Sequence, residues 1–354
     1  MTISVERAGA LREKPRDESK LGFGQKFSDH MFSMDYSPER GWNNPRVEPY
    51  HSLVMDPATM VLHYGQTIFE GLKCYRREDG GLQLFRAADN FRRLNMSADR
   101  VSIPMFDEDV VMDGLIKLLE LDGEWTPRSE GASLYIRPTV IATDPFLGVR
   151  ASNTYLLYIL LSPSGSYYAT GLEPVKIFVE DQFVRAVRGG LGFAKTAANY
   201  AASIKAADVA KKKGYTQVLW LDGVDQKYVE EVGSMNIMFL LGGKLVTPEL
   251  NGSILAGITR DSILQLARSM GIEVEERRVS IGEVIDAARS GALQEAFGTG
   301  TAAVVSPIGE LNYEGETFAI NGKKIGPVTQ KMYDTLTGIQ YGRLPDPFGW
   351  IQKL

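Results

Sequence analysis

Apolar residues recur along this chain at two different periods. SLYIRPTVIA, from Ser133 to Ala142, and TYLLYILL, ending at Leu161, are short, dense runs of β-branched, aromatic and leucine residues, and both are expected as strands. DNFRRLNMSADRV and DEDVVMDGLIKLLELDGEW instead place apolar residues three and four apart, which predicts two helices. The second opens on acids, as suits a helix N-terminus. GWNNP and EDGG mark the turns between these pieces. Further on, VKIFVE reads as a strand, RGGLGFAK as a loop with three glycines, and the stretch from about Asn199 as a helix. That helix stops in KKKG, with cations on its last turn and Gly214 as its cap. TQVLWLDG and EVGSMNIMFLLGGKLVTP read as buried strands, with Gly242 and Gly243 as a hairpin turn. Helices are expected at Thr259 to Met270 and at Ile281 to Ser290, then a Gly/Thr-rich turn and the strand AAVVSPI.

SPSGSYYATGLEP breaks these patterns with Gly, Pro, Ser and small polar residues, so residues 162–174 are expected to link two domains. A length of 354 residues exceeds the usual single domain and agrees with that division. The expected architecture is mixed α/β (α+β), with domains at 1–161 and 175–354 and a cleft between them. Residues 1–20 mix acids, bases and a proline without an apolar core, which predicts a frayed arm and not a signal peptide. The longest apolar stretch, Tyr155 to Leu161, is too short to cross a bilayer.

Composition narrows the function by exclusion. A net charge of -5 and the absence of a polybasic tract argue against a nucleic-acid partner. The one cysteine, Cys74, excludes an internal disulfide and any multi-cysteine metal site, and fits a reducing compartment. The three histidines fall early in the chain with no close ligand pair, so no metal is expected.

Several residues could carry chemistry. Lys195 lies between a glycine-rich loop and a helix, where burial beside Phe193 and Ala194 would favour the neutral amine that attack on an aldehyde requires; a solvated loop lysine is the alternative. In LAGITRDSILQLARSM, Thr259 is a plausible N-cap whose helix could receive an anion, or simply cap. The amides and hydroxyls from Thr299 to Ala302 could form a second anion site or a plain tight turn. Arg93 could face inward as a phosphate clamp or lie solvated with Arg92 and Arg100. Strand alternation puts Tyr135 and Arg137 on one face, a pair suited to a carboxylate or to an interface ion pair. Glu231 precedes a glycine and a buried strand, where a carboxylate needs a partner such as a protonated pyridine nitrogen. Its neighbour Glu230, on the opposite strand face, is expected to be solvated.

The joint order of these segments resembles the branched-chain amino acid aminotransferases, fold-type IV pyridoxal-phosphate enzymes, from about Phe23 to Phe348. The segments that carry the resemblance are FGQKFSDHM, LHYGQTIFEGLKCYR, FRAADNFRRLNMSADR, LYIRPTVIATDPFLGV, GFAKTAANYAAS, QVLWLDG with EEVGSMNIMF, LNGSILAGITRDSILQLA and AFGTGTAAVVSPIG. The resemblance implies a small N-terminal and a larger C-terminal domain with pyridoxal 5'-phosphate in the cleft. It implies reversible transfer of the amino group of leucine, isoleucine or valine to 2-oxoglutarate, in a cytoplasmic homodimer. By position, Lys195 is similar to the lysine that bonds the cofactor, Tyr200 to the tyrosine at its phenolic oxygen, and Glu231 to the carboxylate on its ring nitrogen. Arg93, Ile258, Thr259 and Thr301 match the phosphate ligands, Ile258 through its backbone amide. Tyr64, Tyr135, Arg137 and the Thr301-Ala302 peptide match groups that face the substrate carboxylates, and Phe23 and Phe69 match walls of the apolar side-chain pocket. Lys195 and Tyr200, five residues apart, cannot share a helix face, so Lys195 must lie on the segment leading in.

The redox cysteine pair of vertebrate members is replaced here by Ala303 and Ser306, and the loop holding VDQKYV differs in length from some members. D-amino acid aminotransferases and aminodeoxychorismate lyases share the fold and would keep Lys195, Glu231 and Arg93, but they lack the SLYIRP strand and the FGQKFSDHM opening. A binding protein without turnover would have replaced Lys195, which is present.

Overall fold

The structure is a computed structural model and describes residues 1–165 and 172–354. The described residues form two compact units, one of 1–165 with 194–197 and 339–354, the other of 172–193 with 198–338. Residues 166–171 of the expected linker lie outside the described residues, and its first residues, to Ser164, continue a strand.

The first unit contains strands β1 (Ser4–Val5), β2 (His30–Ser37), β3 (Gly41–Pro49), β4 (Thr67–Phe69), β5 (Leu72–Arg76), β6 (Leu82–Phe85), β7 (Ser133–Ala142) and β8 (Tyr155–Ser164). Its helices are α1 (Met60–Tyr64), α2 (Ala87–Arg100) and α3 (Glu108–Asp122). The strands form one sheet in the order β1-β3-β2-β8-β7-β5-β6, extended by the C-terminal strand Ile351–Lys353, with β4 also on β7. The ladder of β7 and β8 is unbroken from Ser133 opposite Ser164 to Ala142 opposite Tyr155. Both runs that read as strands in the sequence therefore lie side by side. Phe32, Phe91, Leu115, Ile136, Leu157 and Ile159 are fully buried in the core of this unit. Helix α3 comes very close to the sheet because position 114 is glycine. A Cβ there would lie 2.3 Å from the Phe32 ring.

The N-terminal arm differs from the expected frayed segment. β1 pairs with β3, the Ala8 amide donates to His30 Nε2 (2.9 Å), the Arg12 amide donates to Asp29 (2.6 Å), and the Glu18 carboxylate accepts from the Arg128 and Ser129 amides. The arm has no apolar run of its own; Ile3 packs on the core and backbone donors meeting side-chain acceptors hold the rest.

The second unit contains β9 (Val175–Glu180), β10 (Gln217–Leu221), β11 (Val229–Val232), β12 (Met235–Leu241), β13 (Lys244–Pro248), β14 (Val274–Arg277), β15 (Leu293–Gly300), β16 (Val304–Tyr313) and β17 (Glu316–Ala319). Helices α4 (Ala197–Lys212), α5 (Ile258–Ser269) and α6 (Ile281–Ser290) lie among them. The sheet order is β11-β10-β9-β16-β15-β12-β13-β14, and β11 also pairs with β12. Strands β11, β10, β9, β16, β15 and β12 thus close into a ring, which removes the exposed edges of those strands. Gly242 and Gly243, at φ +55° and +83°, make the expected two-residue turn between β12 and β13.

Two local expectations are corrected. Thr259 is not the N-cap of α5: Gly257 is, and Thr259 is buried inside the first turn. The turn read at Thr299 to Ala302 begins later: Thr299 and Gly300 end β15, pairing with β16 and, at Thr299, with β12, and the turn runs over 301–303.

Candidate active site

In the first unit Lys195 sits on the segment leading into α4, as its spacing from Tyr200 required. Its backbone is held from both sides. The Lys195 amide donates to the Ser97 hydroxyl at 2.9 Å, and its carbonyl accepts from the Phe69 amide at 3.1 Å. The side-chain nitrogen lies 5.0 Å from the centre of the Phe69 ring, and the Arg137 guanidinium covers the same ring at 4.6 Å. One aromatic ring therefore receives both side chains. Arg137 also donates to the Tyr135 hydroxyl at 2.8 Å, so the same-face pair read from strand alternation is joined directly. Phe23 meets Tyr135 edge-on at 4.7 Å. Gly71 keeps this corner open, since a Cβ there would lie 2.0 Å from the Tyr135 hydroxyl.

Arg93 is buried in α2 and forms a bidentate pair with Glu70, Nε to Oε1 at 2.7 Å and Nη2 to Oε2 at 2.8 Å. Glu70 is fully buried and follows Phe69 directly, so the arginine and the lysine-bearing corner are anchored to one tripeptide. Tyr64 is more exposed, and its hydroxyl donates to the Leu147 carbonyl.

The second unit holds the other matched residues. Glu231 is buried on β11, accepts at Oε1 from the Leu255 amide (2.8 Å), and lies 3.3 Å at Oε2 from Arg185 Nε. Arg185 is itself buried and donates to the Ser253 and Gly192 carbonyls. Gly192, in the loop just before Lys195, is required by that packing: a Cβ would lie 2.0 Å from the Ser253 carbonyl oxygen. The Leu255 carbonyl accepts from the Asn236 side chain at 2.9 Å, and Gly257 then opens α5, where Ile258 and Thr259 lie. A glycine N-cap offers the first turn no side-chain acceptor, which leaves that helix end suited to an anion. Thr299 Oγ1, on β15 opposite Asn236, is buried with no hydrogen-bond partner among the described residues. Thr301 and Ala302 are half-buried in the turn that follows, and Val304 closes it at φ +62°, a strained conformation for a β-branched residue. Tyr200 is half-buried on the first turn of α4.

Glu230 departs from its expected solvated state. It is buried and bonded to Ser253, because the loop that carries Ser253 folds over that face of β11. Burial, reinforced by Glu231, raises its carboxyl above the usual range, against the opposing pull of Ser253, Arg185 and Asn251.

Three further residues escaped the sequence reading. Glu70 and Arg185 are the buried partners of Arg93 and Glu231, and Lys73 is a buried lysine that burial lowers to about 8. Lys73 stands directly across from Tyr135 in the β5–β7 ladder. Glu70 and Lys73 could have been sought, since two charged residues within the apolar run IFEGLKCY need partners inside the protein. Among the described residues no group of His, Cys, Asp and Glu could hold a metal, and no helix is long and apolar enough to cross a membrane.

The first unit thus presents a half-buried lysine beside a buried arginine-glutamate pair, and the second a buried carboxylate whose Leu255 partner lies just before a glycine-capped helix. A family model for the class IV aminotransferases matches residues 67–311, and the chain belongs to that family. Similar proteins in it include branched-chain enzymes. The chain is 58% identical to branched-chain-amino-acid aminotransferase 2 of Bacillus subtilis, over 100% of this chain and 97% of that one. Among solved structures it resembles the branched-chain amino acid aminotransferase of Escherichia coli, with a TM-score of 0.78 at 27% identity over 92% of this chain and 99% of that one. It also resembles the enzyme of Thermobaculum terrenum in its PLP form, with a TM-score of 0.74 at 25% identity over 93% and 99%.

Proposed function

We infer that this chain is a pyridoxal-phosphate-dependent branched-chain amino acid aminotransferase, moving the amino group of leucine, isoleucine or valine to 2-oxoglutarate. The observation that carries the reading is Lys195, fixed through both backbone groups and set over the Phe69 ring beside Arg137 and Tyr135. The residues present fit the cofactor. Arg93, the α5 terminus at Ile258 and Thr259, and Thr301 suit its phosphate, with the orphaned Thr299 hydroxyl as a further donor; Glu231 suits the ring nitrogen and Tyr200 the phenolic oxygen. Bound pyridoxal phosphate supplies an electron sink conjugated to the substrate α-carbon.

The chain's own groups do the rest. Lys195 would hold the cofactor, and its amine, when free, would take the proton from the substrate Cα. Glu231, with its buried charge offset by Arg185, keeps a proton on the nitrogen facing it. Tyr135, Arg137 and the Thr301-Ala302 peptide receive carboxylates, and Tyr64 presents a hydroxyl oxygen whose proton is already given to Leu147. Phe23 and Phe69 exclude water and bury a branched side chain, worth about 1.5–3 kcal/mol.

We further propose a cytoplasmic homodimer. Leu62, Tyr64, Phe146 and Leu147 are exposed on neighbouring, hydrogen-bonded segments of the first unit, an apolar patch suited to a second copy, and a single buried cysteine suits a reducing compartment. Reconstituted enzyme, sized by light scattering and assayed with 2-oxoglutarate, is expected to run as a dimer and to form glutamate from L-leucine and not from D-alanine. Turnover of D-alanine alone would move the activity to the D-amino acid enzymes of the same fold, and a monomer would remove the dimer.

A further inference from the structure

The structure places a second acid, Glu230, next to Glu231 and gives it different work. Glu230 Oε1 is hydrogen-bonded to the Ser253 hydroxyl, and that hydroxyl also lies 2.7 Å from Asn251 Oδ1. The Asn251 oxygen is fixed as an acceptor because it receives the Ser253 amide at 3.0 Å. A serine hydroxyl has one proton to give. If Glu230 were ionised, that proton would face two acceptors, and one oxygen would be left against another. Glu230 Oε2 adds to the deficit, being buried with no hydrogen-bond partner among the described residues. A proton on Glu230 resolves the arrangement: Glu230 donates to Ser253 Oγ, and Ser253 donates on to Asn251.

The charged groups facing Glu230 do not reverse this. Arg185 acts on it from the loop after β9, but its guanidinium is engaged with the Ser253 and Gly192 carbonyls and with Glu231. Glu231, on the same strand, is the other charge and favours the neutral form of its neighbour. Burial pushes the Glu230 carboxyl in the same direction.

The loop that Glu230 grips runs from Asn251 to Gly257. Its Leu255 amide holds Glu231 at 2.8 Å, its Leu255 carbonyl is held by Asn236 at 2.9 Å, and its last residue caps α5. We propose that Glu230 is a proton-bearing positioning residue that locks loop 251–257, and through it Glu231 and the first turn of α5, in the arrangement that retains the cofactor. The proposal rests on the reading that Glu231 and the α5 terminus hold pyridoxal phosphate. Loss of the proton leaves the one Ser253 hydroxyl between two acceptors, Glu230 and Asn251, which loosens the loop and weakens retention.

The test compares wild type, Glu230→Gln and Glu230→Ala. Equilibrium dialysis of pyridoxal phosphate gives Kd from neutral to alkaline pH, and infrared spectroscopy of the full chain reads the carbonyl stretch of protonated carboxyls. Glutamine donates to Ser253 at every pH, so the Gln variant should match wild type at neutral pH and outbind it by about tenfold in alkali, the scale of one buried hydrogen bond. The Ala variant should be weaker by about tenfold at all pH values. Wild type should show a protonated-carboxyl band at neutral pH that the Gln variant lacks. The proposal is overturned by a wild-type spectrum without that band, by equal pH slopes in wild type and Gln, or by a Gln variant as weak as Ala at neutral pH. If no form binds pyridoxal phosphate, the cofactor reading fails separately, and the infrared band still reports whether Glu230 holds its proton. If the Ala variant does not fold, the Gln comparison and the wild-type band decide alone.

Discussion

Arg93 and Glu231 each enter the protein interior with a charged companion, Glu70 and Arg185 respectively, and those companions decide what a substitution costs. Glu70 accepts from both Nε and Nη2 of Arg93 while fully buried, so removing it takes the bidentate counter-charge from a buried guanidinium. Glu70→Ala is expected to lower stability by about 3–5 kcal/mol, read by urea unfolding, and to weaken cofactor binding with it. A loss below about 1 kcal/mol, the range of an exposed pair, would contradict that account. What the sequence made legible at this scale was the set of residues that the family motifs single out. Lys195 and Arg137 lie against the Phe69 ring, and Arg137 and Phe23 meet Tyr135, so the motif residues of the first unit are neighbours. Glu70 and Arg185 were not legible, because one buried charge in a sequence does not name its partner across 23 or 46 positions.

Periodicity served well for single elements. β7, β9 and α6 run over the residues that pattern alone marked out, and the Gly242-Gly243 hairpin is where the turn chemistry put it. It failed where tertiary pairing outweighed local composition. Thr299 and Gly300, read as part of a turn, end a strand, because neighbouring strands supply their hydrogen bonds and Gly298 and Gly300 let Met235 pack close. Gly114 is the clearest case of packing against propensity. In mid-helix alanine is preferred by about 1 kcal/mol, yet a Cβ at 114 would press into the buried Phe32 ring, and overpacking of a closed core costs about 1–3 kcal/mol. Gly114→Ala should therefore lower the melting temperature with kcat unchanged; a rise would show that the α3 and β2 contact is looser than it stands here.

For the whole chain, length and the break at 162–174 suggested two bodies, and two compact units are present. Their composition was less legible. Residues 194–197, with Lys195 among them, and the C-terminal 339–354 cluster with the first unit, although they follow the second domain's opening strand in the sequence. The closure of six strands into a ring was also hidden: β11 pairs with its sequence neighbours β10 and β12, but the ring is completed by β12 on β15 and β9 on β16, pairings between distant segments that no local pattern encodes. Both facts concern how distant segments of chain return to one another.

The central claim is that Lys195 carries the cofactor and turns over branched-chain substrates. The direct measurement is the absorbance of reconstituted wild type and Lys195→Ala between the near ultraviolet and the blue, before and after L-leucine, with borohydride reduction and peptide mapping of the labelled lysine. The expected result is a visible cofactor band in wild type that leucine bleaches, a cofactor mass on the peptide containing Lys195, and neither label nor turnover in the variant. Cofactor trapped on another lysine, or a Lys195→Ala enzyme that keeps its turnover, would contradict the account.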